Sequence, residues 1–173
     1  MGSLLDSCHA MQSAVQRVAE RIPDVPVDDV IVLKLLNIAG VHLDDVEEQW
    51  LKPHPLSRSE FRTLMMLFSS PGQQSHPSEL CQWAAQKPTN MTRIIDSLLN
   101  RGLVTRRPSE TDRRRIILQV TPEGDRMVRE LLPRLRPELQ SLFRNFSPSD
   151  LRQLRMLLEK LLCNIDAVDV VKP

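Results

Sequence analysis

The feature that most constrains this chain is a change of hydrophobic period at Gly102. Residues 88–101 precede it, and their apolar side chains share one helix face: Met91, Ile94, Ile95, Leu98 and Leu99. Residues 103–106 and 115–120 follow it, and both segments have the length and side chains of short strands. The sequence therefore predicts an amphipathic helix followed by a β-hairpin, whose tip is the charged segment 107–114.

A second short helix is predicted just upstream, over residues 77–84. It begins with proline at its first position, where the missing backbone donor costs nothing. Two helices joined by a tight turn and followed by a hairpin are typical of a winged helix-turn-helix, in which the hairpin is the wing. The predicted fold class is mainly α with a small β-wing.

Further helices are predicted on both sides of this unit, at residues 3–22, 28–51 and 57–70, and from Thr121 and Ser147 onward. Ser57 and Glu60 have the spacing of a capping box at the start of the third helix. Pro133 and Pro137 are expected to kink the helix that contains them, because each removes a backbone donor.

The segment between Val30 and Leu43 is apolar on nearly every side, with only Lys34, Asn37 and His42 as polar residues. A helix of this kind has to be covered on more than one face. In a chain of 173 residues, a second subunit is the expected cover.

The formal net charge of +1 conceals an uneven distribution. Residues 86–115 contain eight basic and three acidic side chains, whereas residues 24–60 contain three basic and eight acidic ones. The basic segment coincides with the predicted helix-turn-helix and hairpin. The basic side chains of this segment are mostly arginine, which forms bidentate contacts with phosphates and guanine.

This distribution predicts a double-stranded DNA partner. The first turns of the second helix would face base edges in the major groove with Thr89, Asn90, Thr92 and Arg93. The arginine-rich hairpin, with Arg113, Arg114 and Arg115, would enter the minor groove. A dimeric winged-helix module that binds proteins and not DNA is the alternative, and this arginine set argues against it.

The chain resembles the MarR family of bacterial transcriptional regulators, and within it the multidrug-efflux repressors. The residues that carry the resemblance are Glu79-Leu80, Thr89-Asn90-Met91-Thr92-Arg93, Gly102-Leu103-Val104, Asp112-Arg113-Arg114, Leu118, Thr121-Pro122-Glu123-Gly124 and Leu132-Pro133. The resemblance implies that Thr89, Asn90, Thr92 and Arg93 lie on the recognition helix. It also implies that Arg113 and Arg114 lie in the wing, where Asp112 holds an arginine in position.

The resemblance further implies a repressor that binds a pseudo-palindromic operator as a homodimer. The expected organisation is an accessory helix and linker at 1–26, a dimerisation helix at 27–56, a DNA-binding lobe at 57–121 and C-terminal dimerisation helices at 122–173. A small phenolic or lipophilic effector is expected to release the DNA. Its candidate contacts are His42, Phe61 and Met65.

Other classes find less support in the sequence. No apolar run is long enough to cross a membrane, and no secretory signal is expected, so the predicted location is the cytoplasm. The three cysteines are widely spaced, as expected of free thiols. His42, Asp45 and Glu48 share a helix face without a second histidine or cysteine nearby, which gives a metal site little support. No catalytic motif is present, so no enzyme activity and no cofactor are predicted.

Overall fold

The computed structural model describes residues 3–84, 86–109 and 115–168. Three of the predicted site residues, Asp112, Arg113 and Arg114, lie outside the described residues. The chain divides into two compact units, one up to Asp125 and one from Arg126 onward. The whole predicted winged helix-turn-helix belongs to the first unit.

Two helices open the first unit, α1 (Leu4–Arg21) and α2 (Val27–Leu51), and they pack against each other. Ser3 and Asp6 form a capping box at the start of α1. Both helices match the predicted segments to within one or two residues. Along α2, Val32, Leu33 and Val41 are exposed, so the apolar segment is only partly covered within the chain.

Helix α3 (Arg58–Ser69) follows, and after it the two helices of the helix-turn-helix, α4 (Pro77–Trp83) and α5 (Pro88–Asn100). The predicted capping box of Ser57 and Glu60 is confirmed at the start of α3. Between α3 and α4 lies a single 3₁₀ turn, Pro71–Gln73, in which Gly72 has a φ of +65°. Glycine adopts this left-handed conformation without the steric cost of a side chain.

The sheet has three strands and not two: β1 (Gln74–Ser75), β2 (Val104–Pro108) and β3 (Ile116–Val120), in the antiparallel order β1-β3-β2. Strand β1 was not predicted, because two residues are too short to show an alternating pattern. The prediction that the loop begins at residue 107 was wrong, since β2 continues through Pro108 opposite Ile116. A backbone hydrogen bond of 2.9 Å from Ser109 N to Arg115 O closes the hairpin.

The core of the first unit lies where α3, α4 and α5 pack on one another and on the sheet. Its fully buried side chains include Leu64 and Leu67 from α3, Leu80 from α4 and Met91 and Leu98 from α5. Leu103 and Leu118 add the contribution of the hairpin. The buried face of α5 is therefore the predicted one, and the opposite face is left to solvent.

Helix α6 (Pro122–Leu142) begins in the first unit, and α7 (Pro148–Ala167) lies in the second. Helix α6 is continuous through Pro133 and Pro137. In the second unit Phe143 and Phe146 form an edge-to-face pair, with ring centroids 5.6 Å apart. The apolar side chains of α7 are exposed, including Met156, Leu157 and Leu162.

Among the described residues, no helix combines the length and apolarity needed to cross a membrane. Within the same residues, no three histidine, cysteine or acidic side chains are grouped in a way that could hold a metal ion.

Candidate nucleic-acid interface

Helix α5 presents a polar face at its N-terminal end. It begins at Pro88, which satisfies the first-turn preference for proline, and Lys87 precedes it as the N-cap residue. Thr89, Thr92 and Arg93 are exposed, whereas Met91, Ile94 and the other apolar side chains point into the core. The hydroxyl of Thr92 donates to the carbonyl of Pro88 at 3.0 Å, so it is held against the helix backbone.

Asn90 is already engaged within the protein. Its Nδ2 donates to Oε1 of Gln86 at 2.6 Å, and its Oδ1 accepts a longer hydrogen bond of 3.4 Å from Nη2 of Arg93. A bidentate contact with adenine needs both the amide nitrogen and the amide oxygen. Asn90 would therefore have to exchange these two partners for a base. The sequence identified Asn90 and Arg93, but it gave no signal for their contact or for the role of Gln86.

The base of the wing carries three further arginines. Arg106 on β2 lies 3.3 Å from the carboxylate of Asp96 on α5, and Arg107 donates to Oε1 of Gln74 on β1 at 2.8 Å. Arg115 is exposed directly before β3. Arg106 and Arg107 were not among the predicted DNA contacts, although both belong to the basic segment. Their side chains tie the wing to α5 and to β1.

A second tie joins the wing to the start of α4. The ring of His76 bonds through Nδ1 to the carbonyl of Ile116 at 2.7 Å, so this nitrogen carries the proton. Hydrogen bonds from the Ser75 hydroxyl and from the His76 backbone lower the pKa of Glu79, and the nearby charges of His76 and Arg115 add to this effect. Glu79 is thus an anion at neutral pH. It stabilises the first turn of α4, where a negative charge is favourable.

Two of the three candidate effector contacts share a cavity. A cavity of about 480 Å³ is lined by Phe61 and Met65 together with Arg58, Arg62, Trp83 and Ile94. His42 is exposed on α2 and is not part of the cavity lining. The cavity therefore lies between α3, the end of α4 and α5, and it combines apolar walls with two cationic side chains.

Both of these arginines are paired with α2. Arg58 forms an ion pair with Asp44, and Nε of Arg62 donates to Glu47 at 2.8 Å. The hydrogen bond from Arg58 holds the pKa of Asp44 below its ordinary value, and the charge of Arg62 acts in the same direction. The cationic side of the cavity is thus built from contacts between α2 and α3.

Comparison with known proteins places these features in a family. The MarR family model matches residues 54–115, which include the α3 capping box, the helix-turn-helix and the first strand of the wing, and which end just before β3. The transcriptional repressor MprA of Escherichia coli is 32% identical over 151 residues, which are 87% of this chain and 86% of MprA. The repressor YetL of Bacillus subtilis is 27% identical over 135 residues, covering 76% of this chain and 80% of YetL.

Solved structures show the same fold. A mutant MarR from Escherichia coli, complexed with operator DNA, has a TM-score of 0.69 at 23% identity and matches over 80% of this chain and 99% of that protein. A MarR family regulator from Streptomyces coelicolor, in complex with DNA, has a TM-score of 0.76 at 17% identity, over 86% of this chain and 95% of that protein. The predicted winged-helix fold is confirmed by these similarities. From its fold and its relatives, the chain belongs to the MarR family of transcriptional regulators.

Proposed function

We propose that this protein is a repressor that binds a pseudo-palindromic operator as a homodimer and is released by a small phenolic or lipophilic molecule. The observation that carries the proposal is the exposed polar face of α5, which lies beside the basic wing. Thr89, Thr92 and Arg93 on this face are exposed and do not contribute to the core. An α-helix of this kind fits the major groove, and its N-terminal residues contact base edges.

The homodimer is supported by exposed apolar side chains on helices of both units. Val41 of α2 is 63% exposed, and Leu157 and Leu162 of α7 are each 59% exposed. Several large apolar side chains exposed on one helix are typical of an interface between subunits. A two-fold dimer presents its two recognition helices one turn of the DNA double helix apart, so the proposed operator has half-sites about 34 Å apart.

Release by a small molecule is supported by the cavity beside α5. Phe61, Met65 and Trp83 supply apolar contacts, and Ile94 connects the cavity to the core-facing side of the recognition helix. An effector would weaken operator binding by the ratio of its affinities for the DNA-free and DNA-bound conformations. In this proposal Phe61 and Met65 contact the effector.

Salt dependence of DNA binding tests this function against the interaction module. If a dimer contacts about eight phosphates, log K should fall with log salt with a slope of about −7. The measurement uses an operator selected from random duplex DNA, with a scrambled duplex as the control. A flat salt response, together with no sequence selected from the pool, would instead favour a module that binds only proteins.

A further inference from the structure

Glu60 makes more contacts than its position at the start of α3 requires. Its Oε2 accepts from the backbone nitrogen of Ser57 at 2.7 Å and from the Ser57 hydroxyl at 2.8 Å, which completes the capping box. Its other oxygen, Oε1, accepts from the hydroxyl of Ser97 at 2.5 Å. Since Ser97 lies on α5, the carboxylate joins the first turn of α3 to the recognition helix.

Two other helices provide an internal comparison. Helices α1 and α7 begin with the same kind of capping box, made by Ser3 with Asp6 and by Ser147 with Asp150. In the described part of the chain, both aspartates bond only to their own cap serine. An aspartate is therefore sufficient for the cap. The additional methylene of Glu60 extends the carboxylate to α5.

A nearby positive charge and burial of the side chain also favour the contact between Glu60 and α5. Arg101, one turn after Ser97, places Nη1 3.6 Å from Oε2 of Glu60, and the Glu60 side chain is only 13% exposed. Burial alone would raise the pKa of Glu60. The hydrogen bonds from Ser97 and Ser57 and the charge of Arg101 outweigh burial, so the pKa lies below its ordinary value. Glu60 is an anion with three partners, of which Ser97 lies on α5 and Arg101 is the C-cap residue of that helix.

The contacts lie where they can set the orientation of α5. Ser97 is one helical turn after Arg93, and Arg101 is two turns after it. Arg93, Ser97 and Glu60 line the same groove of about 360 Å³ between α3 and α5. A rotation of α5 about its axis would break the bond to Ser97 and move Arg93 at the same time.

We propose that Glu60 is a positioning residue for DNA recognition, which fixes the rotation of α5 through Ser97 and Arg101. The inference depends on the proposed DNA-binding function. Glu60 then has two roles, one in the capping box of α3 and one in the orientation of α5. The prediction is that shortening this side chain impairs operator binding although the cap and the fold are retained.

The test is a double-mutant cycle with Glu60→Asp and Ser97→Ala. Aspartate retains the cap, as it does at α1 and α7, but does not extend to Ser97. Each variant should bind the operator about five- to twentyfold more weakly, and the double variant should be no weaker than the single ones. Ser97→Thr, which keeps a hydroxyl, should restore most of the affinity.

Ser57→Ala is the matched control, because it removes the cap hydroxyl and leaves Ser97 bonded to Glu60. It should lower stability towards urea and leave operator affinity unchanged. Hydrogen exchange in the absence of DNA adds a second measurement: Glu60→Asp should accelerate exchange in α5 more than in α4. The positioning role would be overturned if Glu60→Asp bound the operator with wild-type affinity, or if the losses of the two single variants multiplied in the double variant. The proposed DNA-binding function would stand in either case. An unmodified protein that binds no DNA would overturn the proposed function and this role with it.

Discussion

At the scale of single residues, the polar side chains at the N-terminal end of α5 are hydrogen-bonded within the protein. The amide of Asn90 is divided between Gln86 and Arg93, and the hydroxyl of Thr92 is bonded to the backbone. The proposed contact with bases would require some of these hydrogen bonds to be exchanged for bonds to DNA. Under the proposed function, the net free-energy gain from each base contact would therefore be smaller than the energy of the hydrogen bond formed.

Arg93 gives the sharpest prediction at this scale. Arg93→Ala should weaken binding to the selected operator by about 1–3 kcal/mol if the guanidinium contacts a base. Competition titrations against scrambled DNA should show that most of the loss is in specificity. Circular dichroism should be unchanged, because the side chain is exposed. An equal loss on both DNAs would mean that Arg93 contacts only phosphate.

Periodicity predicted which side chains of α5 face outward, but not what they touch. Asn90, Thr92 and Arg93 follow from the apolar spacing of Met91, Ile94 and their neighbours. The bond from Ser97 to Glu60 joins residues 37 positions apart, and such a contact leaves no trace in a local pattern. The capping box of Ser57 and Glu60 is a local pattern, so it was predicted, and it is confirmed. The bond from the Glu60 carboxylate to Ser97 was not predicted, because it joins distant parts of the sequence.

At the scale of elements, the wing depends on a close approach of chain segments at Gly124. A Cβ placed there would lie 2.2 Å from the carbonyl oxygen of Leu103 and 3.0 Å from a methyl group of Val120. The backbone nitrogen of Thr121 also donates to the Leu103 carbonyl, at 3.1 Å. The first turn of α6 is therefore packed directly on the start of the hairpin, and only glycine leaves enough space.

Gly124→Ala should accordingly destabilise the protein by about 1–3 kcal/mol, since a backbone atom cannot move aside as a flexible side chain does. Urea unfolding followed by circular dichroism measures the change. Gly40→Ala is the matched control, because a Cβ at Gly40 meets nothing within 4 Å and lies inside a helix. It should leave stability unchanged or raise it by up to about 1 kcal/mol. Equal effects at both positions would contradict the packing argument.

The length of a helix or strand decided whether it could be predicted from the sequence. The long helices and both hairpin strands were predicted because each contains several turns or alternations. Strand β1 was missed because Gln74 and Ser75 show no period, although they form the edge of the sheet. The two strand residues Arg107 and Pro108 were assigned to the loop, because proline locally favours the end of a strand and the start of a turn or loop. Pairing with β3 outweighs that local preference.

At the scale of the whole molecule, the exposed apolar surface predicts the oligomeric state. Leu157→Glu should shift the protein from dimer to monomer in sedimentation experiments, because it places a charge on the exposed apolar face of α7. Operator affinity should fall with it, since one recognition helix would bind a single half-site. Gln153→Glu is the control on the same helix and should stay dimeric. An unmodified protein that sediments as a monomer would contradict the homodimer.

The sheet also determines how the wing can be tested by mutation. Strand β3 is central and is bonded on both sides, while Ser109 and Arg115 close the hairpin through their backbones. The hydrogen bond between Ser109 and Arg115 is made by backbone atoms alone, so it does not depend on the side chain of Arg115. Substituting Arg115 should therefore test its proposed contact with DNA without opening the hairpin.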